Sequence, residues 1–230
     1  MEGVDKSIWG SGNKAVLGIY AKQPLPGQVK TRFCPPLSPQ QAADLYQCAL
    51  QEIVARMRGH QDFSLVICYT GERSWFERNF PGVPLLPQLG ADLGARMSDS
   101  FFSFFRQGFQ QVVLIGSDIP DLPLELVRQA FAALQHAEVA LAPADDGGYV
   151  LIGKAVYRPE LFAEIRWGSA EVLSQTLKRI ESAGIRTQLL PGWEDLDDLE
   201  ALRKLLRRSP HSRTADYLRC QLAGHFPERS

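Results

Sequence analysis

Buried strands and amphipathic helices alternate along most of the chain, and this alternation limits the possible folds more than any other feature. Short apolar runs typical of buried strands occur at 15–20, 63–69, 84–86, 112–115, 139–142, 149–152 and 185–190. Apolar residues at helical spacing predict helices at 38–58, 93–107, 124–135, 169–183 and 198–208. Strands separated by helices favour a mostly parallel sheet covered on both faces, so the sequence predicts an α/β fold.

The chain contains no internal repeat and no linker, so we expect one domain over residues 14–208. With 230 residues, of which 45% are hydrophobic, it is long enough to bury a sizeable core. Residues 1–13 are polar and rich in glycine, and residues 209–230 are polar and basic with weak periodicity. These two segments are predicted to be a flexible N-terminus and a polar C-terminal tail.

Charge and hydropathy exclude several classes of partner. The net charge of −1 gives no reason to expect nucleic acid or an acidic membrane surface as a partner. No apolar stretch approaches the roughly 20 residues that span a bilayer, and the N-terminus does not resemble a signal peptide. We therefore expect a cytoplasmic protein without membrane contact. The four cysteines and four histidines lack the spacing of a zinc site, and nothing in the sequence indicates an oligomeric state.

The strand predicted at 112–115 leads into a Gly-Ser-Asp sequence that ends at Asp118, and two prolines then prevent further strand pairing. Ligands of open α/β sheets bind at the carboxyl ends of strands, so Asp118 is expected beside a substrate. A carboxylate that faces a phosphate-rich ligand is suited to Mg²⁺, which prefers oxygen ligands. Capping of the helix at 124–135 is the alternative role, and Asp121 is better spaced for it.

A loop rich in proline and glycine, 21–37, follows the first strand and carries Lys22, Gly27, Lys30 and Arg32. Gly27 permits close approach of the backbone to a ligand, and the three cationic side chains can bind phosphate oxygens. The P-loop pattern is absent, which disfavours a P-loop ATPase. A solvated basic surface is the alternative interpretation.

The two strands at 139–142 and 149–152 flank an acidic turn. Asp145, Asp146, Gly147 and Gly148 are typical of a turn that a ligand approaches closely. The two acids could accept sugar hydroxyls or contribute to a metal site. An ordinary hairpin turn explains the same residues without a ligand.

Two further acids, Asp195 and Asp197, follow the last predicted strand. They are two residues apart, so in an extended chain their side chains point the same way. One of them could supply a second carboxylate to an ion held by Asp118. Asp198 is instead expected to be the N-cap of the closing helix.

Four motifs occur in order: KQPLPGQVKTR at 22–32, GSDIPDL at 116–122, DDGGY at 145–149 and DLD at 195–197. Together they resemble the radical-SAM/selenodomain-associated transferase family. That family is similar to nucleotide-diphospho-sugar transferases of the GT-A type and is related to the guanylyltransferases of deazaflavin and molybdenum cofactor synthesis. The resemblance covers about 15–206, and it implies a single GT-A-like domain and a transferase that uses Mg²⁺ or Mn²⁺.

The resemblance implies that Asp118 and Asp197 bind the metal, with Asp195 as the second choice to Asp197, and it places Lys30 and Arg32 near the nucleotide phosphates. Together with the loop chemistry described above, the predicted catalytic residues are Lys30, Asp118 and Asp146. The predicted nucleotide- or phosphate-binding residues are Lys22, Gly27, Lys30, Arg32, Gly147 and Gly148.

Two reactions fit these residues. In the first, favoured by the usual description of the family, a nucleotide-sugar donor binds through its diphosphate and passes its sugar to a small-molecule acceptor. In the second, a small phosphorylated or hydroxylated substrate attacks the α-phosphate of an NTP and releases pyrophosphate, a highly charged leaving group that suits the basic loop. A nucleotide-binding domain without turnover is a third interpretation, which the complete set of acids and bases disfavours.

Overall fold

Seven strands occur in the part of the chain that the computed structural model describes, residues 13–222 and residue 224. Their bounds are β1 (Ala15–Lys22), β2 (Ser64–Thr70), β3 (Leu85–Pro87), β4 (Gln111–Gly116), β5 (Val139–Pro143), β6 (Tyr149–Lys154) and β7 (Thr187–Leu189). They form one sheet in the order β3–β2–β1–β4–β6–β5–β7, and β6 alone runs antiparallel to its neighbours. The predicted α/β fold with a mostly parallel sheet is confirmed. The predicted flexible N-terminus lies outside the described residues except for residue 13.

Helices cover both faces of this sheet. Within the described residues they are α1 (Pro39–Met57), α2 (Arg73–Asn79), α3 (Leu93–Arg106), α4 (Leu124–Ala133), α5 (Val172–Ser182), α6 (Leu199–Arg208) and α7 (Arg213–Gln221), with short 3-10 helices at Thr31–Phe33 and Pro159–Phe162. Alternate residues of a strand point to opposite faces. Accordingly, Leu17 and Ile19 pack with α1, α2 and α4, whereas Val16 packs with α3 and α5. None of the helices in the described part of the chain has the length and apolar character that a membrane span requires.

The starts of two helices are determined by local sequence. The Ser38 hydroxyl accepts a hydrogen bond from the Gln41 amide at 3.2 Å, and the Gln41 side chain accepts one from the Ser38 amide at 2.8 Å. These reciprocal bonds form the capping box predicted for α1. Asp198 accepts a hydrogen bond from the Ala201 amide at 2.8 Å and caps α6, which is also as predicted.

The prediction that Asp121 caps α4 is wrong. That helix begins after Pro123, and no side chain caps it. The Asp121 carboxylate is bound instead by Arg208, whose Nε lies 2.6 Å from Oδ2. Burial would raise the pKa of Asp121, but the bonds from Arg208 outweigh burial and hold that pKa below its usual range. A guanidinium carries a full charge and a fork of donors, so it competes well against a single backbone amide for the carboxylate.

Two predicted elements are shorter than expected. Helix α5 begins at Val172 rather than at residue 169, because the preceding residues form a turn in which the Ser169 hydroxyl donates to the Arg166 carbonyl at 2.7 Å. Strand β7 spans only Thr187–Leu189, although Ile185 is buried in the core and Leu190 still donates to the Leu141 carbonyl of β5 at 2.8 Å.

Helix α7 lies inside the segment predicted as a polar tail, where the sequence analysis places no helix. Its first amides meet a carboxylate of α1: Glu52 accepts hydrogen bonds from the Arg213 and Thr214 amides at 3.2 and 2.8 Å. The Thr214 hydroxyl donates to the same carboxylate at 2.6 Å. Leu218 is buried in a cluster with residues of α1 and α6, so these three helices form a small core beside the sheet.

Candidate active site

The candidate site lies where the parallel strands β1 and β4 end side by side. The Tyr46 hydroxyl, from α1, connects these two ends: it accepts a hydrogen bond from the Lys22 amide at 3.0 Å and bonds with the Ser117 hydroxyl at 2.6 Å. Asp118 follows directly after this connection. It therefore stands at the carboxyl end of a central strand, where open α/β sheets bind ligands.

The loop after β1 brings Lys30 between two acids. Lys30 Nζ lies 2.8 Å from Asp118 Oδ2 and 3.1 Å from Asp197 Oδ1. The other oxygen of Asp197, Oδ2, lies 2.6 Å from Arg32 Nη1. Lys30 adopts φ 49° and ψ 39°, in the left-handed region, and this turn starts the short helix Thr31–Phe33. The basic loop and the last acidic loop, which the sequence suggested as separate features, are therefore in direct contact.

Three carboxylates form a cluster at this point. One oxygen each from Asp118, Asp195 and Asp197 lies within 4.8 Å of the others. The intervening Leu196 is buried, and its amide donates to the carbonyl oxygen of Asp118 at 2.9 Å. Asp195 and Asp197 thus reach the same side, as expected from their two-residue spacing. Carboxylate oxygens are the ligands that Mg²⁺ and Mn²⁺ prefer, so these residues fit a divalent cation.

The charges of the cluster shift the pKa values of its members. Burial would lower the pKa of Lys30, but the Asp118 and Asp197 carboxylates outweigh burial and hold that pKa above its usual range. Burial would likewise raise the pKa of Asp118, and the Lys30 ammonium holds it below its usual range. Burial, with the neighbouring charges of Asp118 and Asp197, raises the pKa of Asp195 to about 7. At the Asp195 carboxylate, the neighbouring negative charges thus outweigh the positive charge of Lys30.

A cleft of about 590 Å³ opens beside the cluster, a volume within the usual range for small-molecule sites. Its charged lining combines both signs: Lys22, Lys30, Arg32, Arg96, Asp92, Asp118 and Asp197. Gly27 lies near this cleft in sequence but not in its lining. It adopts φ +75°, and the space where a Cβ would stand is open, so a positive φ rather than crowding explains the glycine.

The acidic turn predicted at 145–148 connects β5 and β6 and lies outside the lining of the cleft. Asp146 is exposed and accepts a hydrogen bond from the Gly148 amide at 2.8 Å. A Cβ on Gly147 would stand 2.1 Å from the carbonyl oxygen of Ala170, and its φ is +86°. Packing of the chain against itself thus accounts for Gly147. The turn lies next to the last acidic loop, because the carbonyl of Pro143, at the end of β5, accepts a hydrogen bond from the Trp193 amide at 3.0 Å.

A model of the protein family described as "Uncharacterized protein conserved in bacteria (DUF2064)" matches residues 53–169, about half of the chain. The chain belongs to this family. The matched segment extends from the second half of α1 to the turn before α5, so it includes Asp118 and the acidic turn but not the basic loop or the last acids.

Individual relatives match more of the chain. A solved structure from Desulfovibrio desulfuricans G20, described as a "putative nucleotide-diphospho-sugar transferase", is 36% identical and covers 92% of this chain and 96% of its own, with a TM-score of 0.85. The 2-phospho-L-lactate guanylyltransferase of Methanothermobacter thermautotrophicus is 24% identical over 195 residues, which are 83% of this chain and 84% of that protein. A cytidylyltransferase from Leptospira borgpetersenii serovar Hardjo-bovis shares the fold, with a TM-score of 0.54 at 14% identity over 94% of this chain and 96% of its own. The predicted nucleotide-diphospho-sugar transferase fold and the transferase class are confirmed.

Some residues of the site carry no signal in the sequence. Arg96 belongs to an amphipathic helix and was not distinguished from its other polar residues, although it lines the cleft. Tyr46 has the spacing of a core residue of α1, and its hydroxyl contacts involve residues distant in sequence. Only a structure reveals such roles.

Proposed function

We propose that this protein is a metal-dependent nucleotidyltransferase. It takes an NTP and a small phosphorylated or hydroxylated acceptor, and it joins the nucleoside monophosphate to the acceptor with release of pyrophosphate. The observation that carries the proposal is the contact between Lys30 and the two acids Asp118 and Asp197, which brings a cation suited to phosphate and two carboxylates suited to a metal ion to one point.

The charge of the cleft favours a polyphosphate ligand. Lys22, Lys30, Arg32 and Arg96 all line it, and the Arg32 side chain is 67% exposed beside its partner Asp197. A guanidinium can bind phosphate oxygens in pairs, and an ammonium acts as a point charge. A triphosphate and its pyrophosphate leaving group need more positive charge than a diphosphate does, so this lining suits an NTP better than a nucleotide sugar.

One of the two relatives points in the same direction. The guanylyltransferase of Methanothermobacter thermautotrophicus matches 83% of the chain, and its name describes nucleotidyl transfer. The structure from Desulfovibrio desulfuricans G20, in contrast, is described by the name of a nucleotide-sugar enzyme. Glycosyl transfer, the reaction that the sequence analysis placed first, is therefore the second candidate function, and nucleotidyl transfer takes its place.

The residues have distinct roles in the proposed reaction. Asp118 and Asp197 would hold a Mg²⁺ or Mn²⁺ ion, with Asp195 as a third available carboxylate. When bound, that ion would neutralise charge on the phosphates. Lys30 and Arg32 would leave their carboxylate partners and bind the phosphates, stabilising the charge that develops on the leaving group.

The bonds change as follows. An oxygen of the acceptor forms a bond to the α-phosphorus, and the bond from that phosphorus to the bridging oxygen of the β-phosphate breaks. The electron pair of the broken bond remains on pyrophosphate. A phosphate acceptor attacks as an anion, whereas a hydroxyl acceptor also releases its proton to water. Asp146, exposed in the turn next to the last acidic loop, is proposed to contact the acceptor.

The proposal is tested by measuring which product leaves. The protein is incubated with Mg²⁺, each of the four NTPs and a panel of small phosphorylated and hydroxylated acids, and pyrophosphate is measured. Parallel reactions contain nucleotide sugars, and there the release of nucleoside diphosphate is measured. We expect acceptor-dependent pyrophosphate release with one or more NTPs, and its loss in Asp118→Asn.

Asp62→Asn is the matched control, because Asp62 is an exposed acid that pairs with Arg128 away from the cleft. It should retain full activity. Release of nucleoside diphosphate from a nucleotide sugar, without pyrophosphate release from any NTP, would overturn nucleotidyl transfer in favour of glycosyl transfer.

A further inference from the structure

Asp121 and Arg208 form a buried ion pair that the proposed reaction does not use. Arg208 Nε lies 2.6 Å from Asp121 Oδ2, and Nη2 lies 3.0 Å from Oδ1, so the contact is bidentate. The Asp121 side chain is only 1% exposed, and Arg208 is 28% exposed. The Ser209 hydroxyl adds a third bond to the carboxylate at 2.9 Å. An ion pair with this many hydrogen bonds fixes the position of the loop after β4 relative to the end of α6.

The same pair holds the residues that precede Asp195. The Trp193 indole Nε1 donates to Asp121 Oδ1 at 3.3 Å, and the Arg208 guanidinium lies 4.9 Å from the centre of the Trp193 ring. Arg208 Nη1 also donates to Glu194 at 3.0 Å. Lys204, one turn earlier on α6, lies 2.5 Å from the other oxygen of Glu194.

These contacts join the two loops that supply the acids. Asp121 belongs to the loop that follows Asp118, and Glu194 directly precedes Asp195. Helix α6 begins at Leu199, just after its N-cap Asp198, and ends at Arg208, so its two ends contact the last acidic loop from both sides. We infer that Asp121 and Arg208, with Trp193 and Glu194, form a positioning clamp that sets the distances between the metal-binding carboxylates. We refer to these four residues as the clamp.

This inference rests on the proposed metal site, since the clamp has no ligand of its own. Partners of metal ligands typically change metal affinity by about 10- to 100-fold when they are altered. We therefore expect the loss of the clamp to weaken metal binding by about tenfold or more while the fold and metal-free nucleotide binding persist.

The test measures Mn²⁺ binding to the nucleotide-free protein by electron paramagnetic resonance of the free ion. Arg208→Ala is compared with the unaltered protein and with Arg207→Ala, whose arginine is 66% exposed and pairs with Glu200 at the surface. The Mn²⁺ dissociation constant should rise about tenfold or more in Arg208→Ala and stay unchanged in Arg207→Ala. Arg208→Lys, which restores the charge but not the bidentate fork, should recover part of the affinity.

If Arg208 had a purely structural role, its replacement would lower the melting temperature without a selective loss of Mn²⁺ affinity. Each variant is therefore measured at a temperature where circular dichroism shows it to be folded. Binding of an NTP without metal, which needs the basic loop but not the acids, should be unchanged. Glu194→Gln keeps the buried pair intact and provides a second variant if Arg208→Ala does not fold, with a smaller loss of Mn²⁺ affinity expected.

The outcomes separate the two proposals. If the unaltered protein binds Mn²⁺ and the Arg208 and Glu194 variants bind it equally well, the clamp is overturned and the metal site stands. If the unaltered protein binds no Mn²⁺, both the metal site and the clamp are overturned. Retained Mn²⁺ affinity together with absent nucleotidyl transfer would overturn the proposed reaction alone.

Discussion

A single side chain, that of Lys30, links the oppositely charged parts of the site. Its ammonium lies between Asp118 and Asp197, at 2.8 and 3.1 Å, and so acts as the counter-ion of two carboxylates proposed to bind metal. Lys30 and a divalent cation would therefore compete for the same oxygens, whereas Lys30 and a phosphate would attract each other.

Replacing Lys30 should consequently have opposite effects on two ligands. We expect Lys30→Met to bind Mn²⁺ more tightly than the unaltered protein in the absence of nucleotide. Its NTP affinity should fall by about 1.5–3 kcal/mol, the usual contribution of a hydrogen bond to a charged group. Isothermal titration with each ligand measures both effects, and Lys14→Met, at an exposed position, is the control. Weaker Mn²⁺ binding in Lys30→Met would contradict the competition.

Lys154 is a second buried cation, and it does not line the cleft. It is fully buried at the end of β6, where its Nζ donates to the Arg158 carbonyl at 2.6 Å and lies 4.9 and 4.7 Å from the Phe101 and Phe162 rings. Burial lowers the pKa of Lys154 to about 7, against a smaller opposing effect of Glu160. Because the unfolded chain keeps its ordinary, higher pKa, it binds more protons than the folded chain between pH 7 and 10.

The free energy of unfolding should therefore rise with pH over this range, by an amount on the order of a few kcal/mol from this group. Lys154→Met should remove this pH-dependent part of the free energy of unfolding. The stability of the variant relative to the unaltered protein should therefore be highest near pH 6. Urea unfolding at several pH values measures it, with Lys178→Met, an exposed lysine, as the control. Parallel pH profiles for Lys154→Met and the unaltered protein would contradict this account.

The helices differ in how well the local sequence predicts them. The capping box of Ser38 and Gln41 and the apolar spacing after it both indicate α1, and Asp198 is the expected N-cap of α6. Helix α7 buries mainly small side chains and one leucine, so its apolar period is weak. Its first amides bind Glu52, which lies 162 residues before Thr214 in the chain. A local sequence pattern cannot indicate a contact between residues so far apart.

Docking of α7 should depend on that carboxylate. Glu52→Ala leaves the Arg213 and Thr214 amides and the Thr214 hydroxyl without their partner. We expect the free energy of unfolding to fall by about 2–3 kcal/mol, the usual cost of buried groups that lose a charged partner. Urea denaturation measures the change. Glu77→Ala removes an exposed helical carboxylate and should have an effect of less than about 0.5 kcal/mol; equal effects would contradict the docking role.

For the whole molecule, the strand order decides where the motifs meet. The sheet places β1 beside β4, although they are separated in the chain by two strands and three helices. The sequence indicated that each loop follows a strand. Because ligands of open α/β sheets bind at the carboxyl ends of strands, it also indicated that Asp118 lies near a ligand. It could not indicate that Lys30 contacts Asp118, 88 residues away, because that pairing depends on the path of the loop and not on local pattern.

A site assembled from distant segments should stabilise the entire fold when it binds its ligands. At a free NTP concentration of 100 times the dissociation constant, binding adds about 2.7 kcal/mol to the free energy of unfolding. For a chain of this length that is a rise of about 5–10 °C in melting temperature. A thermal scan with NTP and Mg²⁺ should show this rise, and removal of the metal with a chelator should reduce it. Asp118→Asn should show no difference between the two conditions, and a metal effect retained in that variant would contradict the assignment of Asp118.

The clamp also bears on how the protein is made. Lys30, Asp118 and the paired strands β1 and β4 leave the ribosome early, but Asp195, Asp197 and Arg208 are synthesised last among the residues of the site. A growing polypeptide that has already formed the phosphate-binding half still lacks two of its three acids and the arginine that positions them. Products truncated before Asp195 are therefore expected to keep the basic loop but to lack two of the three acids, and the arginine of the clamp is added only with the last residue of α6.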